Sequence, residues 1–99
     1  MLARVSTFEG GTADGIRSAM EELKAQIPQG PPPGVKAVGL TVLVDTEGGR
    51  VVWVGLFDNE DDLRESQAAL EAMTPPDGMG RRASIDVYEV AADTRLAHA

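Results

Sequence analysis

The stretch Arg50-Val-Val-Trp-Val-Gly-Leu-Phe-Asp58, running on into Asn59-Glu-Asp-Asp-Leu63, decides the arrangement of the whole chain. Val51, Val52, Trp53, Val54, Leu56 and Phe57 make it apolar on both faces, and a strand of that kind belongs in the middle of a sheet. Asn59 then offers an N-cap. Glu60, Asp61 and Asp62 fill the first helical turn, where free N–H groups and the helix dipole favour acidic side chains. The strand therefore passes directly into a capped helix, whose inner face is marked by Leu63, Ser66, Ala69, Leu70 and Met73.

Immediately upstream, Thr46-Glu-Gly-Gly49 is a short turn with the glycines that a hairpin requires. It joins the central strand to an earlier one over Val35–Asp45. That earlier strand places Val38, Leu40, Val42 and Val44 on one face and Ala37, Gly39, Thr41 and Leu43 on the other. Before it, Gly30-Pro-Pro-Pro-Gly34 can feed neither a helix nor a central strand. A proline-rich ligand for an SH3-type domain is one reading of it. A stiff connector is the simpler one, since no P-x-x-P array surrounds the segment. Pro28 closes a helix whose apolar positions Ile16, Met20, Leu23 and Ile27 share one face with Ala19, and which Thr12 can cap. Leu2–Glu9, bounded by Gly10-Gly11, reads as the first strand. Ala83–Val90, with Ile85, Val87 and Tyr88, reads as the last.

The resulting order, β-α-β-β-α-β, is the split β-α-β or ferredoxin-like pattern. Two right-handed crossovers give strand order 4-1-3-2, all neighbours antiparallel, with both helices on one face of the sheet. The expected domain is single and covers residues 1–90, with 91–99 as a C-terminal tail.

Composition bounds the function. The chain has 99 residues, nine Lys and Arg against sixteen Asp and Glu, a net charge of −7 and no cysteine. An acidic balance disfavours nucleic acid and anionic membranes as partners, because both reward a basic face. No disulfide or thiolate metal site stabilises this small domain, which leaves oligomerisation as the common remaining route. No apolar run reaches the ~18 residues of a membrane span. Met1–Val5 reads as the start of a strand rather than a secretion signal, so the expectation is a cytoplasmic protein. The acidic run Asp58–Glu65 lacks the alternating oxygen ligands and glycine of a calcium loop, Gly10-Gly11 and Gly48-Gly49 lack a nucleotide-binding context, and His98 stands alone. No metal and no cofactor are expected.

With helices on one side only, the second sheet face becomes the functional question. The aliphatic set Val52, Val54 and Leu56, with Val5, Ile85 and Val87, suits the helices. That assigns Trp53, Gly55 and Phe57 to the opposite face, with Arg4, Ser6 and Phe8, Thr41 and Leu43, and Asp86, Tyr88 and Val90. The assignment rests on alternation and slips wholesale if one bulge intervenes. Arg4, Ser6, Phe8, Thr41, Trp53, Phe57, Asp86 and Tyr88 are the expected ligand-pocket or dimer-face residues. A bare patch of this kind calls for a second copy packed sheet against sheet, or for an aromatic ligand. On it, Arg4 and Asp86 would form a cross-strand ion pair. Alternatively, Arg4 would bind an anionic ligand and Asp86 would serve as a general base. Trp53 would stack on a ligand or pack in an interface, and Tyr88 would hydrogen-bond a phenolic oxygen or serve as a plain sheet residue.

The element order, the Pro33-Gly34-Val35 entry to the second strand, Trp53 in the third, the Phe57–Leu63 strand-to-helix step and the Val87-Tyr-Glu-Val90 ending resemble the dimeric α+β barrel superfamily. Within it they are similar to the antibiotic biosynthesis monooxygenase-like group. That resemblance implies a homodimer with a pocket bounded by sheet and helices or by the partner. It also implies either a small protein of unassigned role that binds an aromatic molecule beside Trp53, or a cofactor-independent monooxygenase of phenols or quinols. Active members commonly use a first-strand Asn and a barrel Trp, and haem degraders add a helix His. Trp53 is the match here, while the first strand carries Arg4, Ser6 and Phe8, and His98 lies in the tail.

Overall fold

The computed structural model describes residues 1–72 and 79–92. It contains β1 (Leu2–Gly10), α1 (Ala13–Gln26), a 3-10 turn (Ile27–Gln29), β2 (Gly39–Asp45), β3 (Arg50–Phe57), α2 (Glu60–Ala72) and β4 (Gly80–Glu89). The four strands form one sheet in the order β2-β3-β1-β4, antiparallel throughout. This is the expected 4-1-3-2 order read from the other edge: an α+β, ferredoxin-like arrangement with β1 and β3 central. Among the described residues, no helix is long and apolar enough to cross a membrane. The tail from 93 onward, with His98, and the segment 73–78, with Met73, lie outside the described residues.

Local chemistry sets the element ends. Thr12 is extended, and its hydroxyl accepts a hydrogen bond from the Gly15 N–H at 3.0 Å, capping α1. Asn59 does the same for α2, its Oδ1 accepting from the Asp62 N–H at 2.8 Å. Pro28 turns the end of α1 into the 3-10 segment, and Ile27 there is exposed rather than on the buried face. In the β2–β3 turn, Asp45 Oδ1 accepts from the Gly48 N–H at 2.9 Å. Gly49 has a φ of 68°, and a Cβ there would stand 2.5 Å from the Gly11 carbonyl oxygen, so the position admits no side chain.

β2 starts four residues later than its alternation suggests. The chain before it follows α2 instead: the Lys36 N–H donates to Ser66 Oγ at 2.8 Å, and the Lys36 ammonium pairs with Glu65. The connector thus seats on the second helix, and the fully buried Ser66 gains a partner for its hydroxyl.

The registers fix which side chains share a face, and they invert the expectation for the two central strands. β1 and β3 pair Leu2 with Phe57, Arg4 with Gly55, Ser6 with Trp53 and Phe8 with Val51. Phe8 and Val51 form the core with Ile16 and Ala19 of α1 and with Met79, and Met20, Val42 and Trp53 pack against it. The helix-covered face therefore carries Arg4, Ser6, Phe8, Trp53 and Phe57. Val5, Val52, Val54 and Leu56 lie on the opposite face, where they are half-buried. The edge strands obey the expected alternation. Thr41 and Leu43 lie on the open face, and so do Asp86 and Tyr88, paired with Val5 and Ala3. Ile85 and Val87 lie on the helix side. A strand that is apolar on both sides has no polar stripe to orient it, so packing decides. The aromatic side chains have the most area to bury and take the covered face.

Candidate functional site

The eight residues singled out from the sequence do not share one surface. Arg4, Ser6, Phe8, Trp53 and Phe57 are brought together under the helices. Thr41, Asp86 and Tyr88 stand on the far side of the sheet. Arg4 is paired with Val87 and Asp86 with Val5, so the cross-strand Arg4–Asp86 ion pair is ruled out by the register.

The covered cluster is built from three adjacent strands. Arg4 is 6% exposed, and its Nη1 donates to Ser6 Oγ at 3.0 Å, two residues along the same face. Ser6 lies opposite Trp53, whose ring meets Phe8 edge-on, with centroids 6.4 Å apart and planes at 60°. Gly55, opposite Arg4, leaves room for the Phe57 ring, an atom of which would lie 3.4 Å from a Cβ at that glycine.

Arg82 joins the cluster through a feature that alternation conceals. β4 is bulged against β1, so that Thr7 pairs with Ser84 but Phe8 pairs with Arg82. By strict alternation Arg82 would share the open face with Ser84, Asp86 and Tyr88. The extra residue, Ala83, turns it to the helix side, and its guanidinium carbon sits 5.6 Å from the centre of the Phe8 ring. Arg82 carried no motif, and only the bulge reveals it.

The polar chemistry of this cluster is one-sided. Among the described residues, Arg4 Nε, Arg4 Nη2, Trp53 Nε1 and Arg82 Nε are buried without a hydrogen-bond partner, and every one of them is a donor. Burial holds the Arg4 guanidinium below its ordinary pKa, and the positive charge of Arg82 adds to this, while Glu71 on α2 opposes both. Among the described residues, Arg17, Lys36, Arg50 and Arg64 each have an acidic partner, whereas no ion pair involves Arg4 or Arg82.

A concavity lies between α1 and β2. It is an open groove of about 490 Å³ bordered by Ile16, Met20, Leu23, Leu40, Val42 and Val44. Its lining is mainly apolar, with Arg17, Glu21, Lys24 and Thr46 also contributing. Among the described residues, no three His, Cys, Asp or Glu side chains gather as a metal site would require.

The fold is a ferredoxin-like α+β arrangement, and a donor-rich aromatic cluster lies on the helix-covered face of its sheet. No family model, curated protein or solved structure matches this chain.

Proposed function

We propose that the protein is a small homodimer that binds an aromatic molecule beside Trp53, in the manner of the antibiotic biosynthesis monooxygenase-like group it resembles. The observation that carries this reading is the cluster of buried, unpartnered donors among the Trp53, Phe8 and Phe57 rings. Native structures leave few buried polar groups unsatisfied, and a concentration of them is explained by an absent ligand that accepts their hydrogen bonds.

The dimer reading rests on the other face. Val5, Val52, Val54, Leu56, Leu43 and Tyr88 form an aliphatic and aromatic surface with no layer over it among the described residues. Leu43 is 55% and Tyr88 57% exposed. A second copy packed sheet to sheet covers such a patch. On this reading pocket and interface, which the sequence put on one surface, belong to opposite sides of the sheet.

Binding is tested by titrating bicyclic and monocyclic aromatics while following the fluorescence of Trp53, the single tryptophan of the chain, and the melting temperature. Saturable quenching with a raised Tm supports the reading, and the absence of both across the panel rejects it. Solution mass tests the dimer, which a stable monomer at micromolar concentration would exclude.

The catalytic alternative, cofactor-independent oxygenation of a phenol or quinol, is favoured by the position of Trp53 within the helix-covered cluster. Oxygen uptake with a quinol panel, lost in Trp53→Phe, is its expected signature.

A further inference from the structure

We propose that Arg4 and Arg82, with Trp53 Nε1, form the receptor for the carboxylate of a small aromatic acid. The inference rests on the aromatic-ligand reading above and specifies the ligand's charge and chemistry.

The argument starts from what the cluster lacks. All four orphaned atoms are donors, from two guanidiniums and one indole. A water molecule would bring acceptors but no charge. A neutral carbonyl would accept from two N–H groups and bring no negative charge. A carboxylate has two oxygens with about four acceptor positions and matches the planar fork of a guanidinium.

Charge points the same way. Arg4 is more than nine-tenths buried, and Arg82 is close enough to act on it electrostatically. Among the described residues, Glu71 is the acidic group whose field reaches Arg4. Two cations against one carboxylate leave room for one more negative charge. Arg17, Lys36, Arg50 and Arg64 pair with carboxylates at the surface, whereas Arg4 is buried with no ion pair among the described residues.

Geometry supplies the aromatic part. Arg4, Ser6 and Phe8 occupy alternate positions on β1, with Trp53 across on β3 and Arg82 across on β4. Ser6 Oγ already accepts from Arg4 Nη1, which leaves Nε and Nη2, one edge of the fork, free for the ligand. The Arg82 guanidinium lies over the Phe8 ring, and its Nε remains unused. An acid seated here places its carboxylate at the Arg4–Arg82 end and its ring against the Phe8–Trp53 pair.

The test compares 1-naphthoate with 1-naphthamide, its neutral isostere, and with inorganic phosphate, using Trp53 fluorescence and calorimetry on the full chain. The acid is expected to bind at least tenfold more tightly than the amide. Arg4→Gln and Arg82→Gln are each expected to weaken the acid tenfold or more while changing amide affinity less than twofold. If Arg4→Gln does not fold, the less buried Arg82→Gln carries the test.

Equal affinity for acid and amide overturns the carboxylate site while leaving the aromatic pocket standing. Binding of neither overturns both readings. Binding of phosphate as tight as that of naphthoate overturns the aromatic acid in favour of a free oxyanion. Loss of acid and amide binding together in Arg82→Gln assigns the arginine a structural part and overturns the proposal.

Discussion

The two faces of the sheet differ in what they bury and what they leave exposed. The covered face has aromatic rings and two arginines. Phe57 is 1% exposed there, Val51 is fully buried, and the polar atoms among them are starved of acceptors. The open face is aliphatic, half-buried and free of buried charge, with Asp86 and Thr41 exposed toward its edges. A surface meant only to be sealed gains nothing from a buried guanidinium, which costs desolvation and gives no packing advantage. The contrast therefore separates a face suited to burial against a partner from one suited to recognition.

Substitutions can break this contrast. Phe57→Ala should have the largest effect, destabilising the fold by about 3–5 kcal/mol in chemical denaturation, because it opens a cavity in a filled core. Val54→Asp, on the open face, should leave the monomer's secondary structure intact but shift the sedimenting species from dimer to monomer. A folded dimer carrying Asp at 54 would remove that face from the interface. Arg4→Met should move stability the other way. With no ligand present, it exchanges a buried charge with unmet donors for an apolar side chain, and the unfolding free energy should rise by about 1–3 kcal/mol. A loss of stability would mean that Arg4 is satisfied in the native state.

Two smaller effects lie outside both faces and calibrate the scale. Thr12→Ala removes the α1 cap and should cost about 1 kcal/mol. Asp45 is held below its ordinary value of 3.8 by the Gly48 N–H, then by Arg50. Its folded pKa is depressed, so its contribution is present above that ordinary value and is lost as pH falls through the lower folded one. Asp45→Asn should lower neutral stability slightly, flatten the acid limb of the stability–pH curve, and leave stability below the folded pKa almost unchanged.

Legibility in the sequence differed between strand types for the same reason that the faces differ. Thr41 and Leu43, and Asp86 with Tyr88, were placed correctly because edge strands carry a polar stripe that fixes their orientation. In β3 the alternation ran between two apolar sets, in β1 the polar Arg4 and Ser6 argued for an outward face, and a preference for aliphatic side chains against helices chose the wrong side. Trp53, Phe57 and Phe8 have more area to bury than Val52, Val54 and Leu56, and that outweighed it. Five of the eight candidate positions nevertheless gather on one face, because Arg4, Ser6 and Phe8 share a parity that pairing matches to Trp53 and Phe57. Arg82 had no such signal, since its parity points away from the site.

The sequence by itself determined the order of elements, the two helix caps, the glycine turn and the centrality of β1 and β3. Each of these follows from local propensity, or from a hydrophobic period that neighbouring residues already carry. Only the tertiary structure decided which side of the central strands meets the helices, and that a single extra residue at Ala83 swings Arg82 in over Phe8. Both outcomes depend on competition for buried volume between elements far apart in the chain, and no local pattern records the result of that competition.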